Sequence, residues 1–159
     1  MTIRPVLRFF HIIAGIIAFF TIARFLGLTL WVELAGGADE IVAAKSWIVS
    51  LLPPLVMSFI IVGGTGFALS GGNPKGLAAK KFQRMKIIAP NGIFILVPAA
   101  LFLNWKAHHA EFDTIFYAVQ TVEIIAGVVN LVLLGLSMRD GLKMKGRFKQ
   151  IKAIVSPGT

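Results

Sequence analysis

The chain contains no cysteine, which excludes disulfide bridges, thiolate metal sites and a cysteine nucleophile. Charge is also scarce: 14% of residues are Asp, Glu, Lys or Arg, against about 25% in ordinary soluble domains. Acidic residues are the scarcest, seven against sixteen basic ones, for a formal net charge of +9. Hydrocarbon fills the 159 positions instead, with 57% hydrophobic residues and a mean hydropathy of +0.82. That balance excludes a conventional soluble enzyme domain, a disordered chain and a coiled coil.

Four apolar stretches divide the sequence, at about residues 6–31, 47–69, 87–105 and 114–137. Each is long enough to cross a hydrocarbon core about 30 Å thick at a rise of 1.5 Å per residue. Without water, only a helix or a closed barrel satisfies its own backbone, so helices are expected even where β-branched residues abound. The first stretch carries Arg24 and is too long for a cleaved signal peptide. The expected fold is all-α: one integral membrane four-helix bundle over residues 1–159, up-down-up-down, with a basic tail at 139–159.

The order of the charges gives an orientation. Arg4, Arg8, Lys75, Lys80, Lys81, Arg84, Lys86 and the basic residues of the tail make up thirteen of the sixteen. They fall at the amino terminus, in the second connection and at the carboxyl end. The first and third connections hold only Lys45 and Lys106, against Glu33, Asp39, Glu40, Glu111 and Asp113. The positive-inside rule then puts both termini in the cytoplasm. Trp31, Trp47, Trp105 and Tyr117 all fall at the ends assigned to the outer face, as an aromatic belt requires. The positive charge therefore reads as a topological signal and a means of holding anionic headgroups, not as a nucleic-acid site.

Polar residues inside the spans each need a reason. Counting from the aromatic belt, Arg24 lies about 10 Å deep and Glu123 about 9 Å. The expectation is a buried Arg24–Glu123 ion pair, serving either as a relay or ligand site in a small transporter or channel, or merely to fix helix register; the alternative is an Arg24 that snorkels to the outer surface. Gln120, Glu123, Gly127, Asn130, Leu134 and Ser137 form a stripe with alternating spacings of three and four. Such small and polar residues are what membrane helices use to pack. Thr65 and Asn91 add polar groups on the second and third spans.

His11 is some 30 Å from the belt, near the cytoplasmic boundary, while His108 and His109 follow Trp105 on the other face. Bis-histidine ligation of one haem b within a monomer is therefore disfavoured, leaving His11 as a candidate single axial ligand. His108, His109, Glu111 and Asp113 carry the residue types for a zinc or copper site.

The run Arg8-Phe-Phe-His11-Ile-Ile-Ala-Gly15 resembles the first helix of the copper-resistance D type and membrane protoporphyrinogen oxidase families, and that resemblance implies a functional early histidine. Arg84-Met-Lys-Ile-Ile-Ala-Pro-Asn91-Gly and Phe112-Asp-Thr-Ile-Phe-Tyr-Ala-Val-Gln120 look like a group of small four-helix proteobacterial inner-membrane proteins, which carries no activity over. No nucleophile–base constellation stands out. The expected role is a non-catalytic, multi-pass accessory subunit or homo-oligomer of a bacterial inner membrane. Its expected partners are lipids and other membrane subunits.

Overall fold

In a computed structural model, which describes residues 3–71 and 73–155, the chain is all-helical with no strand among the described residues. The elements are α1 (Arg4–Ala35), α2 (Ala38–Ser50), α3 (Leu52–Ser70), α4 (Leu77–Pro90), α5 (Val97–His108) and α6 (Thr114–Val155). A π-helical segment, Asn91–Leu96, joins α4 to α5. Four helical stretches are long and apolar enough to cross a membrane: Arg4–Ala35, Ala38–Ser70, Leu77–His108 and Thr114–Met144. These are the dimensions and polarity of a multi-pass membrane protein.

The helices run further than the hydropathy alone suggests. The second stretch begins at Ala38 rather than near residue 47, and the first connection shrinks to Gly36 and Gly37. Polar first-turn residues explain this: Asp39 and Glu40 suit the positive end of a helix, and Glu40 Oε2 accepts the Gly37 N–H at 2.8 Å. Gly36 is required by crowding, since a Cβ there would stand 2.7 Å from the Val32 carbonyl oxygen. Gly71 closes α3 with φ +67, the left-handed region that glycine enters without steric cost. At the carboxyl end, residues 139–155 form no separate tail but continue α6, because nothing after Ser137 breaks the helix. The side chains of Arg147, Lys149, Lys152 and Ile154, expected on the lipid surface, lie outside the described residues.

Proline interrupts two of the stretches. Pro53 and Pro54 offer no N–H to the carbonyls one turn earlier, and the chain breaks between α2 and α3 at Leu51. Pro90 and Pro98 bracket the π turn of the third stretch in the same way. There the asparagines act as staples. Asn91 Nδ2 donates to Asn130 Oδ1 at 2.8 Å and to the Ala126 carbonyl at 2.9 Å, and Asn130 Nδ2 donates to the Ile88 carbonyl at 3.3 Å.

Packing is inverted relative to a soluble domain. The buried core is thin: Ala18, Ile22, Leu55, Ile88 and Leu134 form one cluster, and Val32, Ile41, Ala44, Leu103, Ala107 and Phe116 another. Large apolar side chains such as Phe9, Phe20, Trp31, Ile60 and Phe94 lie on the surface instead. The α6 stripe faces inward, with Gln120, Gly127, Asn130 and Leu134 all buried.

Asn130 is fully buried and joins three helical segments, so Asn130→Ala should lower stability by about 1–2 kcal/mol. Denaturation in mixed micelles measures this, with the exposed Leu142→Ala as an unaffected control.

Candidate functional site

At the aromatic end of the bundle, Lys45 Nζ bonds Glu123 Oε2 at 2.7 Å, with the lysine wholly inaccessible and the glutamate side chain 12% exposed. Gln120 Nε2 donates to the same oxygen at 3.0 Å. Glu33 stands within electrostatic reach of both charges. The Oε1 atoms of Glu33 and Gln120 are buried without a partner among the described residues.

This arrangement corrects the expected Arg24–Glu123 pair. Arg24 is exposed, its guanidinium 4.7 Å from the centroid of the Trp47 ring, where a cation meets the negative face of the indole. Trp47 in turn packs edge-on against Phe25. Equal depth was a sound criterion for Glu123, but depth says nothing about direction around a helix. Arg24 turns toward Trp47 of α2 rather than toward α6. Lys45, read as a connection residue from the belt position of Trp47, holds the counter-charge. A signal for it exists in the sequence: Ile41, Ala44, Lys45, Ile48, Leu52 and Leu55 follow helical spacing, and all are buried.

Beyond this pair the same end carries a second charged group. Lys106, 4% exposed, holds Asp113 Oδ2 at 2.7 Å and Glu111 Oε2 at 3.0 Å. Asp113 also caps α6, its Oδ1 accepting the Phe116 N–H at 2.9 Å. The hydrogen bond from Lys106, and then the one from the Phe116 amide, hold the Asp113 carboxyl below the usual carboxylate range. The candidate metal ligands are thereby engaged with other partners. His108 and His109 each bond the carbonyl one turn back, at 2.8 Å, while the carboxylates turn to Lys106. No group of three or more His, Asp or Glu suited to a metal occurs among the described residues.

At the basic end, His11 Nδ1 lies 3.0 Å from Thr65 Oγ1, and Thr65 bonds the Ile61 carbonyl. The His11 ring also abuts Gly66, where a Cβ would stand 3.2 Å from its Cε1. Here Arg84 Nη1 bonds Asp140 Oδ2 at 2.8 Å. Asp140, the sole acid among the basic residues of this end, is 3% exposed and docks α6 onto α4. Composition conceals it, because one acid hardly alters a strongly basic segment.

Between the two ends lies a cavity of about 280 Å³, walled by side chains such as Ile22, Phe25, Leu55, Phe59 and Leu96, with Thr29 and Glu123 its polar exceptions. No protein-family model matches the chain, and no curated protein or solved structure shows significant similarity to it. Function must therefore be read from these residues.

Removing one partner of a buried pair strands the other charge, so Lys45→Met should cost about 3–5 kcal/mol, whereas Lys45→Met with Glu123→Leu should recover most of that loss. Arg24→Gln should stay within about 0.5 kcal/mol of the parent. A double-mutant cycle by unfolding in detergent checks all three. Because the folded Asp113 carboxyl lies below its unfolded value, its contribution is complete above about pH 4 and lost as pH falls through the depressed value. Melting temperature measured against pH should show an acid-side fall that Asp113→Asn reduces.

Proposed function

We propose that the chain is a non-catalytic accessory subunit of a bacterial inner membrane, acting through contacts in the plane of the bilayer. Its helices run up-down-up-down with both termini cytoplasmic, and the basic end touches anionic headgroups. The four long apolar stretches support a membrane location, and the segregation of basic residues supports the orientation.

The observation that carries the reading is how short the connections between the four stretches are. Among the described residues, Gly36–Gly37, 71 with 73–76, and 109–113 are what joins the four stretches. Charged and amide groups inside the bundle bond one another rather than forming a polar path. Glu123 gives Oε2 to Lys45 and Gln120, and His11 gives Nδ1 to Thr65. What remains for recognition is the surface of the helices. In α1, only 17% of the apolar window is buried, against 22% in each of the other three. Phe9, Phe10, Ile13, Ile17 and Phe20 stand exposed along it. This face suits a neighbouring transmembrane helix, from a second copy or from another subunit.

Purified in mild detergent, the 17.2 kDa chain should appear by native mass spectrometry as a homo-oligomer or in stoichiometric complex with another membrane protein. Ile13→Ala with Phe20→Ala should weaken that association by at least about tenfold without shifting the melting temperature. A strictly monomeric protein that recovers no partner overturns the proposal.

A further inference from the structure

The cavity between the spans has the chemistry of a ligand site. Its wall is hydrocarbon except at Thr29 and Glu123. Thr29 is 3% exposed and lines the cavity. Glu123 receives both of its hydrogen bonds on Oε2, and it lines the cavity. A carboxylate can accept about four hydrogen bonds through its two oxygens, and these two contacts leave capacity on Oε1.

Size and access narrow the occupant. About 280 Å³ falls just under the range of roughly 300–1,000 Å³ that small-molecule pockets span. The space therefore takes the head and first carbons of a longer molecule. Two of the lining residues, Ile60 on α3 and Ile93 on the π segment, are 61% and 54% exposed on the apolar surface. Entry between them comes from lipid, not from water.

Charge narrows it further. Lys45 already neutralises Glu123, so an anionic head would meet a repulsive carboxylate. A cationic one would compete with a lysine held at 2.7 Å. An ionised carboxylate only accepts hydrogen bonds, so the head must donate, which ketones and esters cannot do.

We propose that this cavity binds a neutral lipid alcohol. Its hydroxyl donates to Glu123 and meets Thr29, its first carbons fill the space between Phe25, Phe59 and Leu96, and its tail leaves past Ile60 and Ile93. The buried, neutralised ion pair serves as the polar anchor of an otherwise apolar site.

The test uses the full chain in phosphatidylcholine vesicles with a diazirine-bearing farnesol analogue, cross-linked sites being mapped by mass spectrometry. Label should concentrate on the segments around Ile60 and Ile93. Farnesol should displace it, while the matching hydrocarbon farnesane and the anion palmitate should not. Gly63→Leu fills the cavity from a position where an added Cβ only grazes Met85 at 4.0 Å, and should cut labelling at least about tenfold. Lys45→Met with Glu123→Leu should abolish the preference for farnesol over farnesane while leaving the space intact. The proposal fails if label spreads evenly over exposed residues such as Leu101, Ile115 and Val132, if farnesane competes as well as farnesol, or if Gly63→Leu labels like the parent. None of these readouts depends on the oligomeric state, so the accessory role stands or falls separately.

Discussion

The bond between Lys45 and Glu123 ties the start of the second apolar stretch to the middle of the fourth, through charges that hydrocarbon does not tolerate singly. Separating them would leave an unpaired ion away from water, and that penalty is larger than most packing contacts in the thin core can offset. The helices are thus held at one level and one rotation at this end. Gln120, one turn earlier on α6, donates to the same carboxylate oxygen and holds the Glu123 side chain in place. Fixing Glu123 also fixes the cavity, whose one charged wall residue it is among the described residues.

The same requirement recurs at each depth of the bundle. Asn91 and Asn130 meet where prolines loosen the third stretch, and they bond backbone carbonyls of each other's helices. His11 and Thr65 join α1 to α3, and Arg84 and Asp140 join α4 to α6. Every one of these links is made between stretches, as expected where lipid removes the hydrophobic incentive for helices to associate and leaves polar contacts and close packing to do so.

Much of this was legible in the residues. Helical class, the number of spans and the inward α6 stripe follow from hydropathy and from alternating spacings of three and four, because a helix places such residues on one side whatever surrounds it. The ends of the helices were less legible. Hydropathy underestimates a span whose first turns are polar, as with Asp39 and Glu40, and it takes a tryptophan such as Trp47 for a boundary when it is an interior turn. Lys45 was misplaced for this reason, and Asp140 was overlooked among its basic neighbours.

The sequence by itself determined how the chain meets a bilayer: the spans, their polarity and the segregation of charge are properties of each segment alone. Only the tertiary structure decided which charges are partners, that Arg24 lies on Trp47 while Lys45 takes Glu123, and that a cavity opens beside that pair. The physical reason is that depth along one helix can be counted from residue spacing, whereas a partner depends on the rotation of two helices about their axes. That rotation is settled by the sum of many weak contacts with elements distant in the chain.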